Sequence, residues 1–325
     1  MTVPVEGTAD VLIASHEAEL LAVKTGFSTL ERAELRLAVR ELATNVVRHA
    51  GGGTIRLLAE GSRLTVEAID SGPGIPNVDL AFADGYSTAG GLGYGLGTVN
   101  RVMDDVEVVT RMGKGTTVRA RRSKRESKPA VPCPLEVGVA TMPKPGYPDN
   151  GDGYVVRTSG STLLVGVIDG VGHGTPAHKA TLAATRYVET HIDQPLDSLF
   201  RGVALACRGT RGVVMALARI DWAASMMEYA SVGNIETRAI GTSEPPGFLV
   251  RRGILGVNAP EAKVITHQWP ATATLIMHSD GVASRWDDES IDGILELSAN
   301  AAARELLVRF DKQKDDATVL MVKPA

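Results

Sequence analysis

The chain has little that would place it outside the ordinary run of globular proteins. Only two of its 325 residues are cysteine, Cys133 and Cys207, far apart and with no CxxC spacing. That excludes a disulfide framework and a structural zinc site, and leaves a reduced thiol pair as the reading. No stretch approaches the roughly 18 consecutive apolar residues of a membrane helix. The start, MTVPVEGTAD, lacks the basic segment and apolar run of a secretion signal, so a cytoplasmic location is expected. A formal net charge of −4 gives no electrostatic reason to expect nucleic acid or an anionic membrane as a partner. Internal repeats and low-complexity segments are also missing.

What is present suggests two domains. Domains usually hold about 100–200 residues, and 44% apolar with 22% charged residues suffices for two packed cores. Between Arg121 and Pro134 the pattern collapses into RRSKRESKPAVPCP, charged and then proline-rich. Such a run reads as a linker, although its basic part could also meet an acidic partner. The expected division is 1–122, a linker over 123–134, and 135–325.

In the first part Leu35, Val39, Leu42 and Val46 recur at helical spacing, whereas IRLLAE and LTVEAID read as strands. Helix, long helix, hairpin, glycine-rich segment, helix and a final strand pair make an α/β sandwich. In the second, apolar strand runs fall at Leu163–Ile168, Val213–Ile220, Met226–Val232, Thr274–His278 and Thr318–Val322. Helical stretches are expected from Pro176 to His191 and before Phe200. Many strands with few helices suggest a β-sandwich flanked by helices, and an α+β chain as a whole.

Glu41 and Asn45 are four residues apart on the long helix and share a face. A carboxylate beside an amide oxygen can polarise a hydroxyl or water and ligate Mg²⁺. Asp70 ends a strand and is followed by Ser71-Gly72-Pro73-Gly74, where glycines let the backbone approach a planar ligand and the carboxylate can accept from an exocyclic amine. Gly90, Gly91, Gly93, Gly95 and Gly97 then precede a helix beginning near Leu96, an arrangement whose backbone N–H groups can cradle phosphates.

These elements, closed by Gly113-Lys114-Gly115-Thr116-Thr117, resemble the GHKL (Bergerat-fold) ATPase and kinase domains over about residues 8–122. The segment FADGYSTAGGLGYGLGTVNRVMDD is most similar to small serine kinases of the RsbT type, which act on STAS-domain proteins. No histidine-bearing dimerisation helix precedes it, which argues against a two-component sensor kinase. The resemblance implies ATP with Mg²⁺, Glu41 as general base, Asn45 as Mg²⁺ ligand and Asp70 as adenine contact. Gly72, Gly74, Gly91, Gly93, Gly95 and Gly97 would form the lid and phosphate cradle, and Thr116 would support the adenine side. His49, one turn beyond Asn45, is either a phosphate contact or a surface histidine.

The second part places acids at strand ends: Asp152, Asp169 after LLVGVI, Asp280 after TLIMHS, and Asp315-Asp316 before ATVLMV. Hard divalent cations prefer such oxygen ligands, and two of them can share a water that attacks phosphate in line. The strings DGVGHG, SVGN, SDGV and DDATVL resemble the metal-dependent PPM protein phosphatases, specifically the SpoIIE/RsbX branch, over about residues 135–325. The fold so implied is a PPM-type α/β-β/α sandwich with two Mn²⁺ or Mg²⁺ ions. The resemblance assigns metal binding to Asp152, Asp169, the Gly170 carbonyl, Asp280 and Asp315, with Asp169 at the centre of the chemistry. His173 is either a general acid, as the family's GHG suggests, or part of a turn. NGDGY departs from the family's GGDWYD.

Together the two halves imply a bifunctional partner-switching enzyme. One half phosphorylates a serine or threonine of a STAS-domain regulator in a stress or sigma-factor pathway, and the other removes phosphate. The alternative is an ATP-binding module that sequesters a partner, anti-sigma fashion, fused to an active phosphatase. The lack of a basic patch around the acidic strand ends argues against a nuclease.

Overall fold

Ser28 begins the long helix: its side chain accepts from the Glu31 amide while the Glu31 carboxylate accepts from the Ser28 amide, a reciprocal cap. The computed structural model describes all residues except 83–94, 125–131, 243–245 and 287–290, and all described side chains except those of Asp79, Leu80 and Asp292. The chain divides into two compact units, Met1–Ser127 and Lys128–Ala325.

The first unit runs β1 (Thr2–Val5), α1 (Thr8–Lys24), α2 (Thr29–Ala50), β2 (Gly53–Glu60), β3 (Arg63–Asp70), α3 (Val78–Ala81), α4 (Gly95–Val102), β4 (Asp105–Arg111) and β5 (Gly115–Ser123). Its strands form one antiparallel sheet in the order β1-β2-β3-β5-β4. Alternate residues of β3 and β5 are buried, as expected of a sheet with a single covered face. Leu35, Val39, Leu42 and Val46 bury the matching stripe of α2. The periodicity in the sequence therefore marks this layer correctly.

The charged run behaves differently from its sequence reading. β5 continues through Arg121, Arg122 and Ser123, and Arg122 is completely buried. Its guanidinium pairs with Glu34 of α2 and with Asp104 at 3.1 Å, and Asp104 also accepts from the Ser123 amide. Paired carboxylates let a charged residue occupy a core position that composition alone assigns to solvent.

The second unit continues β6 (Leu135–Met142), β7 (Asp152–Ser159), β8 (Thr162–Gly170), α5 (Thr175–Thr190), α6 (Leu196–Ala206), β9 (Val213–Asp221), β10 (Met226–Val232), β11 (Glu236–Ile240), β12 (Ile265–Gln268), β13 (Thr274–His278), α7 (Asp292–Leu295), α8 (Ala299–Phe310) and β14 (Ala317–Pro324). Two antiparallel sheets, β12-β10-β9-β8-β7 and β11-β13-β14-β6, face each other. Leu163, Val165, Val167, Ala216, Ala218 and Tyr229 of one sheet pack on Leu275, Met277, Leu320 and Val322 of the other. The outer face of the first sheet is covered by α5 and α6, and that of the second by α8. The unit is thus an α/β-β/α sandwich.

Central strands covered on both faces lose their alternation, so β8 and β9 read as continuous apolar runs. The helix expected before Phe200 instead contains it, since Phe200 is one of the buried anchors of α6. No described helix is long and apolar enough to cross a membrane.

Candidate active sites

In the first unit, α2 presents Glu41, Asn45 and His49 on successive turns; Glu41 and Asn45 are half-buried and His49 is exposed. Glu41 lies 3.7 Å from the Arg40 guanidinium. Gly95 opens α4 directly against Asn45: a Cβ there would stand 2.9 Å from the Asn45 amide nitrogen, so a side chain at 95 would displace the amide. Gly97 is buried within α4. Gly91 and Gly93 lie outside the described residues.

Asp70 ends β3, and its Oδ1 accepts from the backbone amides of Gly72 at 2.8 Å and Thr116 at 3.2 Å. Its Oδ2 has no hydrogen-bond partner among the described residues. Gly74, in the turn after Gly72, is followed by Ile75, whose amide donates to Thr110 Oγ1 at 2.9 Å. That hydroxyl lies 3.1 Å from Thr116 Oγ1. Although the residue is largely exposed, partial burial of its ring lowers the His49 pKa, Arg48 lowers it further, and the Asp70 charge opposes both. The C-terminal end of α2 and the end of β3 thus share one electrostatic environment. Thr110 escaped the sequence reading because one threonine in a strand carries no local signal.

In the second unit, β7 and β8 set Asp152 directly opposite Asp169. The Ser279 hydroxyl donates to Asp152 at 2.6 Å and accepts from the Thr318 amide at 2.9 Å. Burial pushes Asp152 up to about 7; the bonds from Ser279 and Thr318 oppose this, and the Asp316 and Asp280 charges add to it. Asp169 is raised well above the usual carboxylate range, first by burial and then by Asp152, Asp280, Asp315 and Asp316. The strand-end acids named in the sequence therefore converge on one region.

Gly170 closes β8, and a Cβ on it would stand 2.4 Å from the Ala177 carbonyl oxygen. The glycine lets α5 seat against the strand end. Asp280 is exposed and accepts from Asn234 Nδ2 at 2.8 Å, while its carbonyl accepts from Lys312 Nζ at 2.6 Å. Asp315 is half-buried and accepts from the Asp316 amide at 3.0 Å. Asp316 is buried; its Oδ1 accepts from the Lys144 amide at 2.9 Å, and its Oδ2 has no hydrogen-bond partner among the described residues. The His173 ring lies 4.4 Å from that of Tyr147, tilted by 51°.

Two contributors went unweighed in the sequence, Ser279 and Asn234, while of the acid pair Asp315-Asp316 the resemblance assigns the ligand role to Asp315 and not Asp316. Each adjoins or lies inside a string that carries the resemblance, so its position was visible although its contact was not. Among the described residues no three acidic, imidazole or thiol groups stand close enough together to grip an ion as they are. The acids lie within electrostatic reach of one another.

Family models match both units: the histidine kinase-like ATPase domain over residues 8–122 and Stage II sporulation protein E (SpoIIE) over residues 159–324. The serine/threonine-protein kinase RsbT of Bacillus subtilis (strain 168) is 37% identical over 115 residues, 34% of this chain and 86% of that protein. The phosphoserine phosphatase RsbX of the same organism is 24% identical over 149 residues, 46% of this chain and 75% of that protein. A crystal structure of RsbX in complex with magnesium aligns with a TM-score of 0.52 at 22% identity, covering 59% of this chain and 96% of that one. A structure from work on the bacterial stressosome, a modular system adapted to control secondary messenger signalling, aligns with a TM-score of 0.56 at 28% identity, covering 58% and 99%.

Proposed function

We propose, for a chain that belongs to the SpoIIE family and carries a histidine kinase-like ATPase domain fused ahead of its phosphatase-type domain, that both units act on phosphate esters of one protein partner. The first unit transfers the γ-phosphoryl group of ATP to a serine or threonine of a STAS-domain regulator, and the second hydrolyses the phosphomonoester. Joining writer and eraser on one chain raises the effective concentration of each at the other's product.

The observation that carries this reading is the convergence of Asp152, Asp169, Asp280, Asp315 and Asp316. A buried carboxylate oxygen of Asp316 without a partner, and two opposed carboxyls whose ionisation burial and mutual repulsion resist, form an all-oxygen donor set short of positive charge. Hard divalent cations, Mg²⁺ or Mn²⁺, fit that set. Asp152, Asp169, Asp280, Asp315 and the Gly170 carbonyl would hold two of them, with Asp316 beside them. Bound there, the ions would neutralise phosphoryl charge and render water acidic enough to attack phosphorus.

The protein's own groups have separate tasks. Ser279 orients Asp152, and Asn234 orients Asp280. As the phosphorus–serine oxygen bond breaks and the bond to water oxygen forms, protonated His173 would give its proton to the departing serine oxygen. In the first unit, Glu41 takes the proton of the partner's hydroxyl while the phosphoryl group moves from ADP oxygen to that hydroxyl oxygen. Asn45 would hold the Mg²⁺ of the nucleotide, and Asp70 Oδ2, which has no hydrogen-bond partner among the described residues, would accept from the adenine amine.

The deciding experiment follows phosphorylation of a STAS-domain protein over time with ATP, Mg²⁺ and Mn²⁺. Asp169→Asn should accumulate phosphorylated partner that the wild type removes, and Glu41→Ala should make none. A partner that binds in the presence of ATP yet is never labelled makes the first unit a sequestering module and ends the kinase assignment.

A further inference from the structure

The turn after Asp169 carries an arginine that none of the roles above employs. Gly172 has φ of +90°, and a Cβ built on it would lie 2.5 Å from Arg211 Nη1, 3.6 Å from Cζ and 3.9 Å from Cδ. The arginine arm is therefore laid along the backbone of the Asp169–Gly174 segment, through space that any side chain at 172 would fill. Arg211 is exposed, and its guanidinium has neither a hydrogen bond nor an ion pair among the described residues. Arg219 and Arg238 of the same unit instead spend their donors on the carbonyls of Ile192, Gln194, Ser284 and Trp286.

The segment that presents Arg211 is tightly built. The Thr210 hydroxyl donates to the carbonyl of buried Cys207 at 2.6 Å and accepts from the Gly212 amide at 3.0 Å. The Gly212 carbonyl accepts from Val171 at 3.0 Å, tying this turn to the one after Asp169. Gly212 has φ of +79°, and a Cβ there would meet Ile254 and the Leu255 carbonyl, each at 2.6 Å. An arginine held this way at its base, with its donors unspent, is placed for a ligand from solution.

The chemistry of that ligand follows from the surroundings. A phosphomonoester is dianionic and takes cationic partners, and a guanidinium lying against the turn that follows Asp169 would supply one beside the ions the aspartates would hold. A guanidinium offers a planar fork that matches two phosphoryl oxygens, and such charge-assisted bonds are among the stronger ones proteins form. We propose that Arg211 binds the phosphoryl group of the substrate at the acidic centre, over a glycine at 172 that leaves its guanidinium room. The proposal rests on the phosphatase reading of the second unit.

The test uses full-length protein loaded with Mn²⁺. It measures the dissociation constant of inorganic phosphate by calorimetry and the kinetics of p-nitrophenyl phosphate hydrolysis, for wild type, Arg211→Gln and Arg211→Lys. Losing a charge-assisted contact worth about 1.5–3 kcal/mol should weaken phosphate binding and raise KM by about 10- to 100-fold in Arg211→Gln. Arg211→Lys should recover part of both, and the rise in Tm on adding Mn²⁺ should match wild type in both variants. Phosphate affinity in Arg211→Gln within twofold of wild type, or no phosphate binding by wild type, overturns the proposal. Arginine-dependent phosphate binding without hydrolysis by any of the three proteins supports the phosphate site and removes the phosphatase reading.

Discussion

The two candidate sites solve the problem of placing a carboxylate in opposite ways. Asp70 sits at a strand end where two backbone amides already satisfy one of its oxygens, and its neighbours form a closed set of hydroxyl and amide contacts. Asp152 and Asp169 face each other in a buried region, and burial and mutual repulsion raise both. In the first arrangement the fold satisfies one carboxylate oxygen and leaves the other without a hydrogen-bond partner among the described residues. The second holds an electrostatic cost that an incoming cation would relieve, which would couple metal binding to the stability of the fold.

That contrast is broken most strongly by Asp152→Asn. Removing one of the opposed charges should abolish most of the Mn²⁺-induced rise in Tm and lower phosphatase activity by at least about a hundredfold, since changes even outside the ligand shell cost about 10- to 100-fold. The same substitution should leave ATP binding by the first unit intact, which a nucleotide titration checks. Next in size is Gly95→Ala, whose methyl group would be driven into the Asn45 amide. ATP affinity should fall by about tenfold or more while Mn²⁺ binding stays as in wild type. Equal effects on both ligands would mean that the two sites are not independent.

Ser279→Ala sharpens the comparison within the second unit. It removes the donor to Asp152 and leaves the Thr318 amide without its acceptor, so denaturant unfolding should show a loss of about 1–3 kcal/mol. A variant as stable as wild type would show that the hydroxyl contributes nothing net.

The smallest effect concerns the thiols. Burial pushes Cys207 up to about 12 from an ordinary 9.0, whereas Cys133 is only half-buried. One thiol per native chain should react with a disulfide reagent at pH 8, and two after denaturation. The sign for stability follows: the contribution of the neutral Cys207 thiol is complete below pH 9. It is lost as the pH climbs toward 12, because the unfolded chain ionises first.

Much of the fold was legible because burial leaves a period in the sequence. The stripe of α2 and the apolar runs of β8, β9, β10, β13 and β14 all appear at their observed places. Edge elements were not: β1, β11 and β12 are short and only partly covered, so no pattern marks them. Arg122 shows the opposite failure, a strand position hidden because its charge is neutralised by Asp104 and Glu34 from distant parts of the chain.

At the sites, local strings carried residue types and their order: Glu41 and Asn45 one turn apart, Asp-Gly at strand ends, and paired acids before the last strand. Those features are set by neighbours along the chain, and by itself the sequence determined them. The pairing of Asp152 with Asp169, the hydroxyl of Ser279 beneath Asp152, and the guanidinium of Arg211 over Gly172 were decided only by the tertiary structure. Each joins segments 17 to 127 residues apart, as the numbering of the partners gives. Such contacts depend on strand register and turn geometry, and a carboxylate's charge state depends on which other charges folding brings near it.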